Sequence, residues 1–148
     1  DIGGLCVDVG VIIIEVNRIA AELWFALMGS VHIHVEKLIF LNQELFGMIE
    51  NTVSVDLLCQ LFSSQLVTKG ERHLLNTNRT YYKLLRQITV EGQEQGCFKE
   101  NLSVNDITKA YAMFERGLMY DWCLCNGDYS LCQYSATMLP LFLKGLCK

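Results

Sequence analysis

At 148 residues the chain is about one domain long and can bury a sizeable core. Its net charge is −4 and its twelve Lys and Arg are dispersed, which excludes a phosphate-binding surface for nucleic acid. The most apolar stretch, VGVIIIEVNRIAAELWFALMG, is interrupted by Glu15, Asn17, Arg18 and Glu22, so a transmembrane helix is rejected. No basic segment of the kind that opens a signal peptide is present. With 51% hydrophobic residues and a mean hydropathy of +0.26, the chain is rich in apolar side chains for its size. Either its surface carries an apolar patch, or another subunit or a ligand covers part of it. A cytoplasmic location without membrane contact is expected. Because the chain begins at Asp1 rather than Met, it is expected to have been processed or cut from something longer.

Residues 1–14, DIGGLCVDVGVIII, mix glycines with β-branched residues and fit an irregular arm as well as a helix. They are set apart as an arm, and residues 15–148 are assigned to a single helical domain. Val16, Ile19, Leu23 and Leu27 recur at helical spacing, and Gly29 can stop that helix. Leu38, Leu41, Leu45 and Met48 form a second stripe. Ser54 is placed to cap a third helix whose inner side carries Val55, Leu58, Leu61 and Phe62, with Gly70 as a stop. Tyr81, Leu84, Leu85 and Ile88 define a fourth helix running to about Gln95. Gly96 can then adopt the left-handed conformation that closes a helix, with Phe98 folding back onto the last turn. Lys99, Glu100 and Asn101 make a solvated turn, and Ser103 caps the next helix with Asp106 at the third position of a capping box.

The helix after Ser103 carries two apolar stripes. One is Val104, Ile107, Tyr111, Phe114, Leu118, Trp122 and Cys125; the other is Ala110, Met113, Gly117, Tyr120 and Leu124. At 100° per residue their centres lie roughly 120° apart, wider than one surface helix normally buries. The helix therefore has two apolar neighbours. Gly117 costs about 1 kcal/mol of helix stability against Ala, a cost that close approach of another backbone would explain. Asp128 or Ser130 caps a last helix with Leu131, Tyr134, Met138, Leu141, Phe142 and Leu146, apolar on more than one side. Pro140 lies inside it, so a kink or the loss of one hydrogen bond is expected. Two such helices suit either a dimer interface built from two helices of each subunit or burial within one monomeric bundle.

No Gly-rich phosphate loop, Gly-x-Ser-x-Gly or His-Glu-x-x-His is present. Glu91 with Glu94, and Glu15 with Glu22, can share helix faces, but without a Glu-x-x-His companion they read as solvated surface. No enzymatic activity and no cofactor is expected. Seven cysteines at 6, 59, 97, 123, 125, 132 and 147 form no regular framework and read as small buried hydrophobes. Cys123 with Cys125, and His32 with His34 unless that segment is extended, are two apart and would diverge on a helix, so no metal site is expected.

The segment LLRQITVEGQEQGCFKENLSVNDITKAYAMFERGLMYDWCL, followed by DYSLCQYSATMLPLFLKGL, resembles the C-terminal domain of TetR-family transcriptional regulators. The likeness lies in an ordered set: Gly92, Gln93, Gly96 and Phe98, then Gly117, Leu118 and Trp122, then Gly145 and Leu146. It covers residues 54–148 well and residues 15–53 only as a compatible helical pattern. The resemblance implies an all-α, antiparallel helical bundle that homodimerises through its last two helices and binds a small hydrophobic effector. On it, the interface would comprise Ala110, Met113, Gly117, Tyr120, Leu124, Leu131, Tyr134, Met138 and Phe142. A pocket would draw on Trp24, Phe62, Tyr81, Tyr82, Leu85, Phe114 and Trp122, with His73 or Gln65 as polar handles; plain core packing is the competing reading for each aromatic. The likeness departs from the family in one respect. No helix-turn-helix segment is found, so DNA contact is expected only through a domain absent from these residues. A helical homodimer that binds neither ligand nor DNA is the alternative.

Overall fold

A computed structural model describes residues 2–28 and 34–148. Six α-helices follow one another: α1 (Ile2–Met28), α2 (His34–Thr52), α3 (Val55–Val67), α4 (Thr80–Glu94), α5 (Val104–Leu124) and α6 (Leu131–Lys144). A single 3-10 turn, His73–Leu75, lies between α3 and α4. The only pairing of β type among the described residues is an isolated bridge between Phe98 and Cys147. The fold is all-α.

Each helix boundary has a local cause. Ser54, Ser103 and Ser130 have extended backbones, and their hydroxyls accept the amides of Leu57, Asp106 and Gln133 at 3.1, 3.0 and 3.3 Å. Each thereby satisfies one donor that a helix start leaves open. Of the two candidates for the last cap, Ser130 is therefore the one that serves. Gly70, expected to stop α3, has φ +116° but lies beyond the end of the helix, which closes at Thr68. Pro140 sits exposed inside α6, and the helix continues through it to Lys144.

Residues 2–14 are helical and belong to α1, so the expected arm is corrected over that span. The reason is tertiary. Ile12 is 4% exposed within the core, so packing overrides the weak helix propensity of β-branched residues. Asp1, the expected stop at Gly29 and His32 lie outside the described residues.

Helix α4 is the central element, packing against α1, α2 and α5, while α2 also lies along α6 and α3 along α5. Leu84, Leu85 and Ile88 on α4 are almost completely buried. Helices α2 and α3 meet at 112° across a short break. No single described helix is long and apolar enough to cross a membrane.

The turn after α4 fixes the α4–α5 geometry. Gly96 has φ +75°, and the Gly92 carbonyl accepts the amides of both Cys97 (2.7 Å) and Phe98 (3.2 Å). Phe98 swings back and is fully buried. It lies where Gly92 has no side chain: a Cβ there would come within 2.3 Å of the Phe98 ring. Gln93 ties down the far side of the turn, its amide donating to the carbonyls of Lys99 (3.0 Å) and Leu102 (2.7 Å). Lys99 and Lys148 then pair with the carbonyls of Leu146 and Cys97, which staples the C-terminus to this turn. Phe98→Ala is expected to lower stability by about 3–5 kcal/mol, the range for emptying a buried aromatic site. A urea denaturation midpoint that does not fall would show that the ring does not anchor the turn.

Candidate functional site

A cavity of about 70 Å³ lies among α1, α2, α3, α4 and α5. Its walls are mainly apolar, with Ile12, Val16, Leu45, Phe46, Leu58, Leu61 and Met119 among them. Its polar groups are concentrated on one side: Tyr81 and Tyr82 from α4, Arg79 just before it, and Glu115 and Arg116 from α5.

Glu115 is the chemical centre of this side. It is 3% exposed, in the middle of a long helix. One carboxylate oxygen accepts the hydroxyl of Tyr81 in a short contact, and the other accepts the Asn42 side-chain amide at 2.7 Å. The Asn42 carbonyl in turn accepts Ser135 Oγ at 2.6 Å and Gln43 Nε2 at 3.2 Å. The Tyr111 hydroxyl, one turn before Glu115, donates to the Leu38 carbonyl at 2.9 Å. Four helices thus meet at one carboxyl group: α2, α4, α5 and, through Ser135, α6. Burial pushes the Glu115 carboxyl up to about 7, despite the opposing hydrogen bonds from Tyr81, Asn42 and Tyr111 and the nearby charge of Arg116. Burial and the adjacent carboxylate hold the hydroxyls of Tyr81 and Tyr111 well above the usual phenol range.

The two arginines hold the mouth. The Arg79 guanidinium lies over the rings of Tyr81 and Tyr82, at 5.7 and 5.6 Å from their centroids, and donates to the His73 carbonyl. Burial lowers its pKa. Arg116 donates to the Tyr82 hydroxyl at 2.8 Å, and that hydroxyl donates to the Leu74 carbonyl at 2.8 Å.

Of the expected pocket residues, Phe62, Tyr81 and Tyr82 line the cavity. Trp24, Leu85, Phe114 and Trp122 do not. Leu85 is core at 1% exposed. Trp24 packs on the core from α1. Phe114 stacks on Phe142 with centroids 4.7 Å apart, joining α5 to α6. Trp122 donates its indole N–H to the Tyr129 carbonyl and organises the α5–α6 turn. Neither expected polar handle reaches the cavity: Gln65 accepts the Leu74 amide, and His73 is exposed on the 3-10 turn. Glu115, Arg116 and Arg79 were not anticipated. The one available signal was Glu115 at the helical spacing of Tyr111 and Leu118, a charge inside an apolar stripe.

Three of the carboxylates singled out in the sequence are engaged with neighbouring side chains. Glu15 and Glu22 flank Arg18 on an exposed face and bind it at 2.7 Å each. Glu91 lies 3.6 Å from both Lys37 Nζ and His34 Nε2, and accepts Gln87 Nε2 at 2.8 Å. Burial, reinforced by Lys37, holds His34 below its ordinary pKa, so it is neutral beside that pair. The six cysteines whose side chains are described are free thiols. Burial and the neighbouring Cys59 push Cys123 up to about 12. Among the described residues, no three metal-ligating side chains converge.

The expected interface residues divide cleanly. Met113, Tyr120, Leu124 and Tyr134 are exposed at 53, 49, 64 and 42%, and Gly117 is open to solvent with nothing within 4 Å of an added Cβ. Ala110, Met138 and Phe142 are half-buried at the edge of this face. Leu131 is corrected: it is fully buried in the core, because the first turn of α6 points inward against α2. Leu141, 60% exposed, joins the exposed set.

Glu115 also makes a pH signature. A carboxyl that titrates near 7 when folded and at 4.5 when unfolded binds more protons in the native state between those values. Stability from this group is therefore complete below about 4.5 and falls as pH rises through 7, by on the order of 3 kcal/mol. His34 works in the opposite sense below its ordinary 6.5, so the two separate only by comparison with a variant. Urea melts of the wild type are expected to show this loss between pH 5 and 7.5, and Glu115→Gln is expected to remove it. Parallel curves for the two proteins would place the titration elsewhere.

Residues 18–145 match the family model described as YsiA-like protein, C-terminal region, one of the TetR C-terminal domains. No curated protein and no solved structure matches the chain. Domains of this family are regulatory and not usually enzymatic. The match spans most of the chain and includes all of α2 to α6, so the chain belongs to the TetR-family regulators, as a C-terminal domain of the YsiA-like group.

Proposed function

We propose that these residues are the effector-sensing and dimerising part of a transcriptional regulator. Two subunits join through the outer faces of α5 and α6, and a small, mostly hydrophobic molecule enters the cavity beside Glu115. DNA contact belongs to a part of the regulator other than these helices. The observation that carries the reading is the apolar face on the last two helices. Met113, Tyr120, Leu124, Tyr134 and Leu141 are exposed on these two helices, whereas the other exposed large hydrophobics among the described residues, Ile14, Phe40, Leu66, Val67 and Leu75, are spread over α1, α2, α3 and the 3-10 turn. One large apolar side chain on a surface is ordinary, but a run of them on two adjacent helices marks an interface. Gly117 sits within that run with no neighbour inside the chain, which leaves room for a partner's backbone.

The cavity supports the sensor role in kind rather than in size. Apolar walls with a few converging polar groups are what small-molecule sites use, but such sites enclose about 300–1,000 Å³. At about 70 Å³ the cavity must widen to accept an organic effector. That need is also the means of signalling: a ligand that fits only the widened bundle shifts the population toward it by its differential affinity. The same small volume favours a second reading, a homodimer that binds no ligand.

Native mass spectrometry tests both. A dimer carrying added mass supports the sensor, and a dimer without it supports the second reading. A monomer removes the basis of the interface. Gly117→Glu is expected to convert the dimer to monomer while keeping the helical circular dichroism signal, because the position is open within the chain. A variant that stays dimeric would turn this face away from the partner.

A further inference from the structure

A second depression opens beside the cavity, between the 3-10 turn and helices α4 and α5, with a volume of about 300 Å³. Its polar lining is cationic: Arg86 from α4 and Lys109 and Arg116 from α5, with Asn105, Thr77 and Thr108. No acidic side chain lines it, and among the described residues no carboxylate forms an ion pair with Arg86 or Lys109, while Arg116 feels the charge of Glu115 only from the adjoining cavity. That is unusual in a chain of net charge −4, in which sixteen carboxylates outnumber twelve Lys and Arg. A second observation points to a ligand. Thr108 is 5% exposed, lines the depression, and its hydroxyl oxygen is buried without a hydrogen-bond partner. Buried polar groups are normally satisfied; Thr108 Oγ1 is one of five unpaired buried side-chain atoms among the described residues, and of the residues that carry them Thr108 alone lines this depression.

We propose that this depression binds the phosphoryl group of a small phosphorylated molecule. Guanidinium forks, an ammonium and a hydroxyl are the donors that phosphate oxygens take. The volume far exceeds the 10–15 Å³ that one water needs, so there is space for more than the anion itself. All contributing residues come from one chain, so the site does not depend on the dimer. It adjoins the effector cavity, since Tyr82 and Arg116 line both. An anion drawing Arg116 toward it competes with the 2.8 Å bond from Arg116 to Tyr82.

The test is isothermal titration of the full chain with ribose 5-phosphate and with inorganic phosphate, at constant ionic strength with chloride as the control. Saturable binding is expected, weakened at least tenfold by Arg86→Gln and by Lys109→Gln. Lys83→Gln, an exposed cation on α4 outside the depression, should leave it unchanged. Thr108→Val should weaken it by a smaller factor. Gly117→Glu should leave it intact, which separates failure of this site from failure of the dimer. Tighter binding of the sugar phosphate supports a phosphorylated molecule as the occupant, while equal affinity assigns the free ion instead. No binding above chloride, or equal loss in Lys83→Gln, would overturn the site.

Discussion

The structure turns on a single buried carboxyl group. Glu115 sits at 3% exposure in α5 and is held by Tyr81 of α4 and Asn42 of α2, with Ser135 of α6 bonded to the same asparagine. An isolated charge at that depth would cost far more than a domain's net stability, so the group survives only because each of its oxygens has a donor and because it titrates near neutrality. Removing one partner is costlier than the bond itself is worth, since the remaining polar groups would stay buried and unpaired. The register of four helices is thereby linked. A one-turn slip of α5 along α4 would carry the carboxyl away from Tyr81 and Asn42 together, whereas apolar contacts alone would tolerate such a slip more readily.

The same arrangement explains why the apolar surface falls where it does. Helix α5 uses its first stripe, Ile107, Tyr111, Leu118 and Trp122, for the core. Once Glu115 points inward, the second stripe must point outward, and Met113, Gly117, Tyr120 and Leu124 are left in solvent. Helix α6 is oriented by a comparable device: Glu50 of α2 accepts both Ser130 Oγ and the Cys132 amide at 3.1 Å, placing a carboxylate at the positive end of that helix. With its start pinned to α2, α6 buries Leu131, Ser135, Leu139 and Leu143 and turns Tyr134 and Leu141 out beside the exposed stripe of α5.

Much of this is legible in the sequence. The helix caps at Ser54 and Ser103, a last cap at Asp128 or Ser130, the turn at Gly96 and the return of Phe98 follow from local chemistry that acts within a few residues. The two stripes of α5 were also legible, because helical spacing reports faces directly. The candidate site was only partly so. Tyr81 and Tyr82 stand out by type, but which aromatic faces a cavity depends on how far apart the helices sit, and spacing is silent on that. Trp122 illustrates the difficulty: an amphipathic ring suited to a ligand is spent instead on the Tyr129 carbonyl, a loop contact seven residues away. Glu115, Arg79 and Arg116 escaped for a related reason. A charged residue in a helix is surface unless something specific holds it inside, and the holders, Asn42 and Tyr81, are far away in the sequence.

On the proposed reading, the Glu115 network is also what an effector must act upon. Tyr81 and Glu115 belong to both the cavity wall and the hydrogen-bonded hub, so a molecule that widens the cavity presses on the hub directly. From there the chain of contacts to the outer face is short: Glu115 to Asn42, Asn42 to Ser135, and Ser135 lies one residue from exposed Tyr134 on α6. Networks of this kind have few arrangements that satisfy every donor, so they respond in steps rather than by gradual deformation. A carboxyl that titrates near 7 adds a further property, because its two protonation states need different partners. When charged it accepts from Tyr81 and Asn42; when protonated it carries a donor that must also be placed, and Tyr111 lies one turn away. An effector that brings its own acceptor to this carboxyl would favour the protonated form, and one that brings a donor would favour the charged form. Ligand affinity should then depend on pH in opposite directions for the two chemistries, which makes the sign of that dependence a direct reading of what the effector presents to Glu115.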